Sequence, residues 1–400
     1  MKYKVTYGKN VYGNKEISAV LNSLKKTTQM GLCVAKFEKK ISKFTNKKFT
    51  IMVNSGSSAC LLLSEILDLK AGDEFIVPAL NFPTAIVPFL KKGLIPRIVD
   101  ISLDDLQIDI DLIKKNITKK TKFLLIPNLI GNIPRWDKIR KIVGKKIPLI
   151  EDSADTLCPK INKILTGRYT DYTITSFYGS HIISCGGNGG ALSLNNVKDY
   201  QKAKIIRSWG RYSSIISEND LKKRFNYKIN HKIYDKKFVF IEQGYNLEPS
   251  ELGAAFGLSQ LEKLKQNIKI RQINYINLKK FFNNYKKYFK FIDNKSIIST
   301  TLLAFPILIK KNPYFDRYNL QIFLEKNGIQ TRPIFSGNFL RQPAFKDINY
   351  KSINKKFHNA DYVTDNGLMF GLHHGLNIRD IDYIKSTFDK FLKHAIKNNF

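Results

Sequence analysis

Asn54-Ser55-Gly56-Ser57-Ser58-Ala59 stands between an apolar run, Phe49–Val53, and a second apolar stretch, Cys60–Leu67. The first run reads as a strand and the second as a helix. A strand, a tight Gly/Ser turn and a helix N-terminus, in that order, make an anion site: the free backbone amides and the helix dipole point at the turn, and the hydroxyls of Ser57 and Ser58 add donors. The same residues would serve equally as an N-cap for the helix alone.

Outward from this turn, further short apolar runs recur: Glu74–Pro78, Ile95–Asp100, Phe123–Pro127, Ile147–Glu151, Tyr172–Phe177 and Gly190–Leu194. They are continuously apolar rather than alternating, as strands buried on both faces of a mainly parallel sheet are. The segment from about residue 45 to 200 therefore reads as one α/β domain built on a seven-stranded sheet. Ahead of it, Ile17, Val20, Leu21 and Leu24 have the spacing of one helical face. After it, Glu218–Phe240 is polar, with seven Lys or Arg and three acidic residues, and reads as an exposed excursion. Ser250 fits a helix N-cap, followed by Leu252, Ala255, Phe256, Leu261 and Leu264 on an apolar side. At 400 residues the chain exceeds what one hydrophobic core usually organises. We expect a large domain over 1–265 and a smaller α+β domain over 266–400.

The 67 basic and 33 acidic residues give a net charge of +34. Nucleic-acid binding is one reading of such a charge. Lysine is spread throughout, however, as in Lys114–Lys115, Lys119–Lys120 and Lys145–Lys146, with no single basic tract. The charge is better read as compositional drift, with a field that would draw in an anionic substrate. The four cysteines, Cys33, Cys60, Cys158 and Cys185, form no C-x-x-C pair, so neither structural zinc nor a cysteine cluster is supported. No uninterrupted apolar stretch reaches the roughly 18 residues of a membrane span, and Met1–Asn10 lacks a signal-peptide core. The expectation is a cytoplasmic protein without membrane insertion.

Two further segments carry chemistry. Asp152, in Glu151-Asp152-Ser153-Ala154-Asp155, follows the run Ile147–Glu151, at the strand edge where open α/β sheets bind ligands. A carboxylate there can hold a pyridine nitrogen protonated, or can merely cap the following loop. His181, in Ser176-Phe177-Tyr178-Gly179-Ser180-His181, lies five residues past a strand-end serine. It precedes Gly186-Gly187-Asn188-Gly189-Gly190, whose glycines permit positive φ and close approach of a ligand. A lone histidine is more often structural; its place beside this turn makes it a candidate.

These three segments, at these spacings, resemble the PLP-dependent nucleotide-sugar aminotransferase and dehydratase family of fold type I. The resemblance begins at Gly31 and Phe37-Glu38 and includes Asn81-Phe82-Pro83-Thr84 and Gly244-Tyr245-Asn246. It ends with Thr331-Arg332-Pro333 and Gly337-Asn338-Phe339-Leu340-Arg341-Gln342-Pro343. It implies that Ser57, Ser58 and Ser176 bind the cofactor phosphate, that Phe82 stacks on the pyridine ring and that Asp152 pairs with the ring nitrogen. Asp155 falls where many relatives carry glutamine or histidine, near the ring hydroxyl. Asn246 would reach the cofactor of a neighbouring subunit, which implies a homodimer with shared sites. Arg332, Asn338 and Arg341 would contact substrate, arginine suiting a diphosphate through its fork.

Family aminotransferases carry a lysine at the position of His181, and that amine forms the Schiff base with PLP. Imidazole cannot, so the cofactor is expected untethered and able to work as PMP, with His181 as general base. The substitution resembles that of the family's 3-dehydratases. One sub-type adds an iron–sulfur cluster after a segment similar to Arg207-Ser208-Trp209-Gly210-Arg211; here Tyr212-Ser213-Ser214-Ile215-Ile216 follows, without cysteine, so no cluster is expected. The resemblance implies 3-deoxygenation of a nucleotide-linked 4-keto-6-deoxyhexose in deoxysugar and lipopolysaccharide O-antigen synthesis, with glutamate as amino donor. A nucleotide-sugar aminotransferase and a silent sensor on the same fold are the alternatives.

Overall fold

The computed structural model describes residues 3–216, 220–292, 297–354 and 356–398. Its centre is a seven-stranded sheet of β1 (Phe49–Val53), β2 (Glu74–Pro78), β3 (Ile95–Val99), β4 (Thr121–Pro127), β5 (Leu149–Asp152), β6 (Tyr172–Ser176) and β7 (Gly190–Leu194). The order is β1-β7-β6-β5-β4-β2-β3. All pairings are parallel except those of β7, which runs antiparallel to both β1 and β6. This is the mainly parallel α/β sheet expected of fold type I.

The continuous apolar runs have a direct cause. Alternate residues point to opposite faces, and both faces are covered. Ile51 and Val53 enter one core with Leu62 and Leu63 of α3 (Gly56–Ile66). Met52, between them, enters another with Val34, Phe37 and Ile41 of α2 (Leu32–Phe44). Further along the sheet, Ile76, Leu124, Ile126 and Leu149 pack on Trp136 and Ile139.

Helix α4 (Glu251–Phe282) runs 32 residues without a break. Its first half, through Ala254, Leu261 and Leu264, packs with α2. Its last turns, through Leu278 and Phe282, enter a phenylalanine-rich core with Phe289, Phe305, Phe370, Phe388 and Phe391. That core lies on an antiparallel sheet of β8 (Phe289–Phe291), β9 (Ala304–Ile309), β10 (Thr331–Arg332) and β11 (Gly367–Gly371), in the order β8-β9-β11-β10. The division expected at 265/266 thus falls inside a continuous helix. The N-terminus also crosses it: Val5 bridges Ile329 and is buried in the second core. We place the domain boundary within α4, with the residues around Val5 grouped with the C-terminal unit.

Of the excursion expected over Glu218–Phe240, Glu218 and Asn219 lie outside the described residues. Within the rest, Tyr227–Ile229 and Lys232–Tyr234 pair as a hairpin. It turns through Asn230 and His231, both at positive φ, as two-residue hairpin turns require.

Candidate active site

Gly190 pairs with Val53 on one side and with Ser176 on the other. The first residue of β7 therefore holds the ends of β1 and β6 together. That juxtaposition brings the Ser55–Ser57 turn, which opens α3, against Ser176. Ser55 caps α3 by accepting the N–H of Ser58 at 3.0 Å. The first N–H groups of the helix are left without partners of the helix's own, which is where an anion is held.

A cavity of about 370 Å³ opens at this place. Its walls include Ser57, Phe82, Asp152, Asp155, Ser176 and His181, residues from four separate segments. Among the described residues the hydroxyls of Ser57 and Ser176 have no protein partner. Ser58 is turned away: its Oγ donates to Asn54 Oδ1 at 2.5 Å and meets Ser55 Oγ at 2.9 Å. Phe82 lines the cavity, is 53% exposed and makes an edge contact with Phe335 at 6.2 Å.

Asp152 ends β5, and its neighbour Glu151 explains its direction. Glu151 points to the opposite face, where it accepts from Asn128, Thr166, Thr170 and Thr173. Asp152 is left buried in the cavity, its carboxylate taking only the N–H of Ala154 (3.1 Å) among the described residues. Burial pushes its carboxyl up to about 6, the Ala154 bond opposing and the charge of Glu151 adding. A buried carboxylate with no cation beside it fits a ligand that brings a positive charge, as a protonated pyridine nitrogen does. Asn81 adds a second fitting feature: it lines the cavity, and its buried Nδ2 has no partner among the described residues. The site therefore fits PLP on three independent counts: phosphate donors, a carboxylate and an exposed aromatic ring.

His181 is half-buried, with Nδ1 3.3 Å from the Ser176 carbonyl and its ring edge-on to Tyr178 at 5.9 Å. A proton on Nδ1 would be donated to that carbonyl, leaving the Nε2 lone pair free. Burial lowers the imidazole to about 4; the Ser176 bond opposes this and the charge of Arg271 adds to it. It is thus neutral throughout the physiological range, with Nε2 unprotonated. No lysine or arginine of this chain lines the cavity among the described residues.

Besides Ser58, four expected residues stand elsewhere. Asn246 is exposed and outside this chain's cavity, its Oδ1 accepting the N–H of Glu248. Arg332 is exposed, with Nη1 on the Thr331 carbonyl and its guanidinium 5.5 Å from the Tyr7 ring. Asn338 and Arg341 both bind Asp361: Asn338 Nδ2 donates at 2.8 Å and Arg341 donates through Nε at 2.9 Å and Nη2 at 2.5 Å. Asn338 also caps the turn at Leu340 and is buried, so its side chain is taken up by structure. In the other direction, Tyr178, Asn188 and Phe335 line the cavity without having been singled out. Tyr178 and Asn188 lie inside segments that were. Phe335 is placed by a left-handed backbone (φ 46°) that its residue type does not announce.

Among the described residues no three His, Cys, Asp or Glu side chains gather as metal ligands, and no helix is long and apolar enough to cross a membrane. Comparison with known proteins agrees with the geometry. The chain is 32% identical over 382 residues to a GDP-4-keto-6-deoxy-D-mannose 3-dehydratase of Escherichia coli, covering 93% of this chain and 95% of that one. It is 31% identical over 395 residues to lipopolysaccharide biosynthesis protein RfbH of Salmonella typhimurium, covering 95% and 90%. A solved structure of the E. coli 3-dehydratase with bound hydrated PLP superposes with a TM-score of 0.88 at 30% identity, over 97% of this chain and all of that one. Residues 11–389 match the family model itself, and the chain belongs to the DegT/DnrJ/EryC1/StrS aminotransferase family.

Proposed function

We propose that this chain is a PLP-dependent 3-dehydratase that removes the C3 hydroxyl of a nucleotide-linked 4-keto-6-deoxyhexose in deoxysugar and lipopolysaccharide synthesis, with glutamate as amino donor. The observation that carries the reading is the base. His181 lines the cavity and, among the described residues, no lysine of this chain does. A family transaminase needs a lysine amine to hold its cofactor covalently; a neutral imidazole can only move protons. Relatives with 3-dehydratase names, and a solved 3-dehydratase with a trapped PLP-glutamate geminal diamine, support substrate class and donor.

When bound, PLP supplies an electron sink and, as PMP, the amine that meets the sugar ketone. Ser57, Ser176 and the N-terminus of α3 would hold its phosphate, and Phe82 would cover its ring. Asp152 would keep the ring nitrogen protonated. His181 takes a proton at Nε2 while Nδ1 stays on the Ser176 carbonyl, and returns it to the C3 hydroxyl as that group leaves. Glutamate leaves as 2-oxoglutarate, and its nitrogen as ammonia, so electrons and atoms balance. Asn246 is exposed, so a role at a cofactor would be played in a second copy of the chain, as a homodimer provides. Arg332 remains the substrate contact best placed to reorient. The four free cysteines fit the reducing cytoplasm.

The reading is tested by mass spectrometry after incubation with PLP, glutamate and GDP-, CDP- and dTDP-linked 4-keto-6-deoxyhexoses. The expected product is a 3-deoxy-4-keto sugar, lighter than its substrate by one oxygen. An amino sugar that keeps its C3 hydroxyl would contradict it.

A further inference from the structure

Two carboxyl groups face the same cavity, Asp152 and Asp155, and the second is held there at a conformational cost. Asp155 Oδ2 accepts the N–H of Ile130 at 2.8 Å. Ile130 presents that N–H from a left-handed backbone, φ 59° and ψ 14°. A β-branched residue is rarely found there, and holding one there costs backbone strain. Gly131 follows at φ +84°, and a Cβ on it would lie 2.2 Å from the Thr301 carbonyl oxygen and 3.1 Å from that of Asp155. Leu303 then fixes the turn by donating its N–H to the Ile130 carbonyl at 2.8 Å. The turn after β4 is thus wedged between Asp155 and the 301–303 segment, and it aims one donor at one carboxyl oxygen. Oδ1 has no protein partner among the described residues.

Among the described residues the groups facing Asp155 supply no cation. Asp152 lies beside it as a like charge, and the Tyr7 phenol approaches from the N-terminal segment. His181 lines the same cavity and is neutral. Arg271, on α4, acts on Tyr7 and His181 and donates Nη1 to the carbonyls of Leu302 and Leu303. Two carboxyls buried together without a cation cannot both ionise freely; their environments separate their roles.

We propose that Asp155 works as a neutral carboxylic acid that donates a hydrogen bond to the phenolic oxygen of the bound pyridine ring, while Asp152 works ionised against the ring nitrogen. This rests on the cofactor reading above and adds a protonation state to it. The electrostatics agree: burial first, then the charge of Asp152, raises the Asp155 carboxyl to about 8, against about 6 for Asp152. A bound ring with a protonated nitrogen would lower Asp152 further and leave Asp155 as the proton carrier. An amide at this position could also donate, but it could not titrate. The acid therefore gives the site an alkaline limit, since above its midpoint the donor becomes a second negative charge beside the ring oxygen.

The test is the absorption spectrum of PLP bound to the full-length protein, freed of excess cofactor and titrated through alkaline pH. The wild type is expected to show a band shift with its midpoint within about one unit of the raised Asp155 value. Asp155→Asn should hold the band constant across that range, and Asp155→Gln is a second variant should the first fold poorly. As a second readout, infrared spectra of ligand-free protein near neutral pH should contain a carboxylic-acid stretch that both variants lack. PLP retained by the wild type without a transition, or with one whose midpoint the variants leave unmoved, overturns this inference alone. Failure of the wild type to retain PLP overturns the cofactor reading and this inference with it.

Discussion

A Cβ added to Gly190 would lie 2.2 Å from the carbonyl carbon of Ser55 and 2.4 Å from the nitrogen of Gly56. Both atoms are backbone, so neither can give way without moving the turn that opens α3. Gly190→Ala is therefore expected to destabilise the protein by about 1–3 kcal/mol or more, the usual cost of forced overlap in a packed interior. Denaturant unfolding measures it, and retained PLP binding with unchanged stability would contradict the account of how β1 and β6 are joined. The same scale shows where sequence reading stops. Gly190 stood in a visible glycine run, so tight approach was legible. The left-handed backbone of Ile130 was not, because nothing in an isoleucine announces positive φ. Asn338 and Arg341 were read as free to meet substrate; their partner Asp361 lies about twenty positions on, and only the fold brings it close.

At the scale of elements, Glu251 ties two helices together. It sits in the first turn of α4 and is buried, yet its carboxylate accepts the N–H groups of Gly31, Cys33 and Val34 at 2.8, 2.5 and 3.2 Å. One side chain thus serves as the N-terminal cap of α2, with its charge on the favourable end of that helix dipole. Glu251→Ala would leave those donors unsatisfied and is expected to cost about 2–4 kcal/mol, whereas Glu251→Gln, which keeps one acceptor oxygen, should cost about half as much. Equal losses for both variants in urea unfolding would argue against a capping role. The strands of the large sheet were legible because burial on both faces demands continuous apolar runs, and no boundary differs from expectation by more than two residues. The path of α4 was less so. Its apolar side changes partner midway, from α2 to the phenylalanine-rich core, and a single periodic pattern cannot show that handover.

For the whole molecule, the site is made where three strand ends, one helix N-terminus and the loop of His181 converge on one edge of a mainly parallel sheet. Its own cavity walls carry two carboxyls and several hydroxyls but, among the described residues, no lysine or arginine, on a chain whose net charge is +34. On the proposed function, cations for a diphosphate would come from outside these walls. The central claim concerns one atom, His181 Nε2, acting where a transaminase would use an amine. The measurement that tests it most directly is the rate of water loss from the accepted nucleotide sugar by His181→Asn, with PLP content determined on the same sample. The expected result is full PLP occupancy with water loss slowed by about 10²–10⁴-fold, the usual contribution of a general acid–base group. Water loss at the wild-type rate in PLP-loaded His181→Asn would contradict the account.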